Sequence, residues 1–539
     1  MKILRSALCS CLLVACLVCA LPSFVYAENE AEAEPVEEVA AEPEQPEPAP
    51  VVQPEPAAVV VEPVVVERPP LGRDAAGPVV AEAEAEAAVV DEGIRSEFIF
   101  GSYGRVRAAT DLQGSTARPV NVVTYGSRID EVSYAELEFR QRFLTPERNT
   151  STFHSEVVAT LAFLDDFFHY TGRFEQSLAM RNLYAELGWA GGLVDVSLWG
   201  GSRMYRGDDV YLLDFWPLDN LNTVGGGTRV AMGQDFGRTE IKVHAGVNRL
   251  VDPYQLQVVR VPGIEFGADD VVFLDRQRFI VSGRAEQQLW LAPQGRTGLK
   301  LAVYGESQHL PEGTQRLADG VNERTVPEDD GWLIGTQLGF WTAGEGLFAG
   351  SFANLFVRYA SDLAAYGEFG IPYGVNLEET SQGASELLVA LSGNLETPWA
   401  GLLVGAYFKD FATAGRESTF RDYWETIVAA RVHAYVTRHI HPGVEISHQV
   451  RQHGGPFPET ESYSSPRFEV PAVTKLSFIQ AFSMEPSMYS RPQLRLIYTA
   501  SMLNESAQRS YRPQDPRREL DVQHYLGVMV EWWFNSASY

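Results

Sequence analysis

The chain has 539 residues with 43 basic and 71 acidic side chains, a formal net charge of −28 at pH 7. That balance excludes nucleic acid as a partner, because phosphate binding needs a basic surface that no part of the sequence offers. The excess is uneven: residues 28 to 92 hold 18 acidic residues against two arginines, and the remainder of the chain is only moderately acidic.

Residues 1 to 27 place Lys2 and Arg5 before an apolar run that closes on Val25, Tyr26 and Ala27, the pattern of a cleavable secretory signal. Leu13-Val14-Ala15-Cys16 also reads as a lipoprotein cut that would leave Cys16 as a lipid-bearing N-terminus, so two processing routes stay open. All four cysteines (Cys9, Cys11, Cys16 and Cys19) lie in this presequence, so a cut after Ala27 leaves no thiol or disulfide chemistry. Residues 28 to 92 are Ala, Glu, Pro and Val in quasi-repeats without an aromatic residue. Such a segment cannot bury a core and is expected to be disordered or extended. Its Pro-rich parts favour a polyproline II form, with a reach on the order of 200 Å at full extension. It reads either as a tether to the cell wall or a periplasmic partner, or as a plain solvated spacer.

From residue 93 onward the pattern changes to short alternating segments bounded by Gly, Asn, Asp and Pro. No apolar run there reaches the length of a helical membrane span. Near Tyr134 the sequence sets Ala135, Leu137 and Phe139 against Tyr134, Glu136, Glu138, Arg140 and Arg142. Further strands are predicted at Lys300 to Ser307, Leu355 to Asp362 and Pro492 to Ala500. The closing segment sets Leu526, Val528, Val530, Trp532 and Phe534 on one face and Tyr525, Gly527, Met529, Glu531 and Trp533 on the other. Aromatic residues at strand ends, and faces too ionic for a dry core, favour an all-β fold that spans the outer membrane as an antiparallel β-barrel over a soluble sandwich. The length available suggests roughly 16 to 20 strands around a water-filled lumen.

A pore has no catalytic step, and its chemistry lies in its lining. A channel that favours sugars should pair ionic hydrogen-bonding groups with aromatic rings on which sugar faces stack. Tyr103 shares a face with Arg105 and Arg107, Tyr134 shares one with Glu136, and Gly200 to Asn220 is dense in Arg, Asp and aromatic residues and too long for a tight turn. His439 and His441 form an HxH beside Pro442 and read as solvated side chains at a turn, so no metal site is assigned.

In order along the chain, Ser102 to Arg107, Ser133 to Phe139, Leu198 to Trp216, Asp330 to Gln337, Asn354 to Asp362, Ser487 to Ala500 and Glu531 to Phe534 resemble the maltoporin family of sugar-specific outer-membrane porins and its sucrose-porin relatives. Leu198 to Trp216 is the most specific of these matches. The resemblance implies 18 strands, a homotrimer, and passive diffusion of maltose- or maltodextrin-like oligosaccharides, with no cofactor and no enzymatic activity. It implies an aromatic slide of Tyr103, Tyr134, Phe167 (or its neighbour Phe168), Phe356, Trp424 and Trp533. It also implies a polar track of Arg105, Arg128, Glu136, Arg181, Asp209 and Asp214, with Trp216 where the family places the tyrosine that narrows the pore. Gly207 stands where the family has a basic residue, the early loop disulfide is absent, and the acidic extension is no part of the family pattern. A general porin, or a barrel that anchors the outer membrane to the cell wall, are the competing expectations.

Overall fold

The computed structural model describes residues 94–146, 152–164, 178–191, 194–234, 236–262, 267–292, 296–317, 322–343, 346–415, 421–454 and 470–536. The expected signal segment, the acidic 28–92 segment and Phe167 lie outside the described residues.

Eighteen antiparallel strands pair each with its neighbour in sequence, and the last, Val522–Phe534, returns to pair with the first, Arg95–Thr110. The sheet is therefore a closed barrel without an edge. Two shorter hairpins, Leu256–Pro262 with Ala268–Asp275 and Gly313–Arg316 with Glu323–Val326, are inserted between barrel strands. Both insertions, and the other long connections, sit at the barrel end opposite Arg95 and Phe534. Outer-membrane barrels carry long loops outside and short turns in the periplasm, which gives the orientation.

The faces follow the alternation. Phe139, Phe143, Leu526, Val528 and Phe534 are exposed on the outer surface, while Glu136, Glu138, Tyr525, Met529 and Glu531 are buried inside. The three internal strands predicted from sequence run Thr297–Leu310, Phe352–Asp362 and Gln493–Leu503. His441 departs from expectation: it enters the strand Ile440–His453, is buried on the lumen side, and has its ring against the Arg438 carbonyl and the Ser483 hydroxyl.

Among the described residues, two segments that fold into the lumen build its centre, and residues 363–369 fold in beside them, with Glu368 accepting from the Asn222 backbone N–H. Residues 207–219 cross the lumen, and Val210, Leu212, Leu213, Phe215 and Leu218 pack in one apolar cluster with Tyr304, Phe356, Leu403, Tyr407 and Phe411 of the far wall. Asp214 takes a left-handed conformation (φ 50°) to close the turn Tyr211–Leu213, a conformation Asp tolerates better than most residues. The first long connection also folds inward. Ser127 caps a short turn over Arg128–Asp130, Tyr125 stacks on Phe215 at 4.5 Å, and Asp130 meets Lys475 at 2.7 Å.

Candidate permeation site

At the centre of the lumen Arg105 and Arg128 bind the two inward segments to the barrel. Arg105 Nη1 lies 3.0 Å from Glu131, 3.2 Å from Asp214 and 2.9 Å from the Tyr103 hydroxyl. Arg128 reaches Asp214 at 3.5 Å and Glu531 at 3.2 Å, donates to the Tyr103 hydroxyl, and lies 4.5 Å over the Tyr211 ring. Glu531 also accepts from Arg491 and Arg495 at 2.7 and 2.6 Å. A second cluster, Arg284 and Lys300 with Asp208 and Asp219, holds the flanks of residues 207–219 to the wall at 2.7 to 3.4 Å. Desolvation alone would make such burial costly, and the convergence of opposite charges offsets it.

Arg181 reaches the site through a β-bulge. The register between neighbouring strands shifts at Thr160/Leu161, so Arg181 becomes an extra residue beside the paired Asn182. It thereby meets Glu136 at 3.2 Å, donates to the Tyr134 hydroxyl, and lies 5.7 Å over that ring. Arg105 lies at 5.7 Å from the same ring, and Tyr134 in turn is 6.0 Å from Tyr103. Among the described residues, Tyr134, Arg181, Arg206, Asn222, Asn248 and Phe369 contribute to the lining of a cavity of about 980 Å³. Trp216 stands half-buried with the Arg206 guanidinium 3.7 Å over its ring.

The structure thus brings Tyr103, Tyr134, Trp533, Arg105, Arg128, Glu136, Arg181 and Asp214 into one neighbourhood, with Asp209 half-buried beside it. Trp533 faces inward, paired in register with Tyr103 and covered by Tyr211, Tyr489 and Arg491. Tyr103 and Phe356, at 2 % and 1 % exposure, do not offer open ring faces, because the inward segments pack on them. Trp424 is corrected: in its strand Tyr423, Glu425 and Ile427 point inward, so Trp424 faces out, stacked on Phe408 and bonded to Gln452. Tyr423 is the lumen aromatic of that strand, and its even spacing from Glu425 was the available signal. Tyr211, Glu131, Arg491 and Arg495 were not singled out from sequence, since each joins the cluster only through the inward folds and the closing strand.

Burial pushes the Asp209 carboxyl up to about 7, with Arg128 opposing and Asp214 and Asp208 reinforcing the rise. Burial likewise raises Glu131 to about 7, with Asp214 adding to it and Arg105 and Arg128 opposing. At Asp214 burial works the same way, yet Arg128 and Arg105 more than offset it and hold the group below the usual carboxylate range. A raised acid gains its charge late, so cation selectivity is expected to climb as pH is raised from about 5.5 to about 8.5, with the midpoint near neutrality. Asp209→Asn should remove part of that step and leave the Glu131 part, as read by reversal potentials in a KCl gradient.

The LamB porin family model matches residues 98–534. No curated protein sequence matches the chain. Among solved structures, OccK2 (OpdF) of Pseudomonas aeruginosa is 9 % identical, covering 82 % of this chain and 98 % of its own, with a TM-score of 0.36. OccAB2 of Acinetobacter baumannii is 10 % identical over 82 % and 98 %, with a TM-score of 0.37. The outer-membrane protein OmpT of Vibrio cholerae in its trimer form is 10 % identical over 82 % and 99 %, with a TM-score of 0.35. A match that spans nearly the whole closed barrel, from the first strand to the last, makes this chain a member of the LamB porin family and a porin of the bacterial outer membrane.

Proposed function

We propose that the pore carries neutral oligosaccharides of the maltose and maltodextrin kind by passive diffusion, and that it works as a homotrimer set in outer-membrane lipid. The observation that carries this reading is Tyr134, an aromatic ring with the Arg105 and Arg181 guanidinium carbons each 5.7 Å from its centroid and Glu136 at its hydroxyl, lining the cavity below the long loops. A pyranose ring offers CH groups on its faces and hydroxyls around its rim, and this arrangement answers both at once. The folded-in segments narrow the lumen, which favours a selective channel over a general porin.

The test is single-channel current in a planar bilayer titrated with maltotriose, sucrose and gluconate. Saturable block by the neutral sugars supports the proposal, and large unblocked current overturns it. Tyr134→Ala should weaken sugar block by roughly three- to tenfold, the worth of one stacked ring. Leu137→Ala, on the lipid side of the same strand, should leave block unchanged.

A further inference from the structure

The lumen has a sealed wall and an open one. On the strands between Ser385 and Leu503 most inward charges are covered by the folded-in segments: Glu386, Lys409, Glu425, Glu445 and Lys475 show side-chain exposures of 6, 8, 0, 1 and 1 %, while Arg451 near the loop end keeps 26 %. On the strands between Tyr134 and Asn248, Glu136 and Glu138 are closed over at 1 %, but Arg142, Glu186, Arg203, Arg229 and Lys242 stay accessible at 32, 21, 23, 33 and 29 %. Water, ions and solutes below the constriction therefore meet the second wall. The expected slide does not lead there, since Tyr103 is closed over and Trp533 is capped by Tyr489 and Arg491.

One place on the open wall is built for a polyhydroxyl ligand. The Arg203 guanidinium lies 4.3, 5.1 and 5.7 Å over the rings of Tyr184, Trp199 and Tyr205. Trp199 and Tyr205 are in turn stacked with His244 at 5.6 and 5.5 Å. The three rings surround the guanidinium, and Nη1 is fixed by Glu186 at 2.9 Å. Among the described residues no hydrogen bond engages Nε or Nη2, a fork suited to two neighbouring hydroxyls.

We infer that the exit half of the permeation path runs along the wall from Tyr134 to Asn248, away from the Tyr103–Trp533 line, and that Arg203 on its aromatic platform is a second sugar-binding station on it. The station rests on the sugar reading above; the position of the path does not. Tyr134 and Arg181 form the entrance, and from there the strand Leu178–Ala190 leads down to Tyr184 and Glu186 beside Arg203.

The cysteine-free barrel allows a direct test. Single substitutions Arg142→Cys, Arg229→Cys and Lys242→Cys on the open wall, and Ser447→Cys and Ser477→Cys on the sealed wall, are treated with a charged methanethiosulfonate in a bilayer while current is recorded. The three open-wall thiols should react and change conductance, and the two sealed-wall thiols, small replacements at 1 % and 0 % exposure, should stay silent. The reverse pattern, or equal reaction on both walls, would overturn the eccentric path whatever solute the pore carries. For the station, Arg203→Gln should raise the maltotriose concentration for half-block from the periplasmic side about fivefold, and Arg203→Lys should rescue it only in part because the fork is lost. Unchanged block in Arg203→Gln, with wild-type protein blocked normally, overturns the station alone. A wild-type channel that no sugar blocks overturns the parent reading, and the cysteine result still stands.

Discussion

Replacing Leu212 and Leu213 together by aspartate is expected to raise single-channel conductance several-fold and to abolish block by sugar, while the barrel still runs as a heat-modifiable folded species. Both leucines are fully buried against the far wall, beside Gly405, where a methyl group would already approach Leu212 at 3.1 Å. Burying each side chain contributes about 1.5–3 kcal/mol, and an unpaired carboxylate at such a site costs several kcal/mol more. The remaining central anchors of the segment are the Asp214 pairs with Arg105 and Arg128 and the Tyr211 hydroxyl on Glu531 at 2.8 Å. Each is worth roughly 1–3 kcal/mol, so the apolar loss and desolvation together outweigh them and the segment leaves the lumen. The strands do not depend on it, because every barrel strand is paired on both sides by its neighbours. Unchanged conductance in the double variant would show that residues 207–219 do not limit flow.

That outcome would also bear on what a sequence can disclose. The strand Tyr134–Pro146 was legible because its two faces differ in kind, apolar toward lipid and ionic toward water, and a period of two is enough to separate them. The same rule was available for Tyr423 and Trp424, but two adjacent aromatic residues left the register to be decided by Glu425 and Arg431, and the family resemblance pointed to the wrong one of the pair. Arg181 lay beyond any periodic rule, since its direction comes from a bulge. The filling of the lumen was the least legible feature. Val122, Thr124 and Tyr125 have no strand period, and the groups their backbone N–H donate to, on Gln449, Glu425 and Tyr407, lie far along the chain, so only the closed barrel brings them together. The covering of Tyr103 and Phe356 by the inward segments left no signal in the sequence.

The charge at the centre gives the second large effect. Glu531→Gln is expected to turn the channel toward anion selectivity and to loosen the constriction, with strand pairing retained. Glu531 is 1 % exposed and is the common acceptor of Arg128, Arg491 and Arg495 and of the Tyr211 hydroxyl. Those donors come from the first inward segment, a periplasmic turn, a neighbouring strand and the second inward segment, so one carboxylate ties four parts of the chain. With it neutral, Arg491 and Arg495 lose their carboxylate, and Arg105 and Arg128 keep Glu131 and Asp214. Breaking a buried pair from one side costs about 3–5 kcal/mol because the remaining charge is stranded. Arg128 can relieve that cost by turning into the aqueous passage, where it would repel cations. Glu531→Asp should give an intermediate reversal potential, and adding Arg128→Gln to Glu531→Gln should restore much of the original selectivity. A reversal potential that stays put in Glu531→Gln would mean that the cluster is a structural tie shielded from the ion path, and the constriction would then have to be placed at Asp208, Arg284 and Lys300 instead.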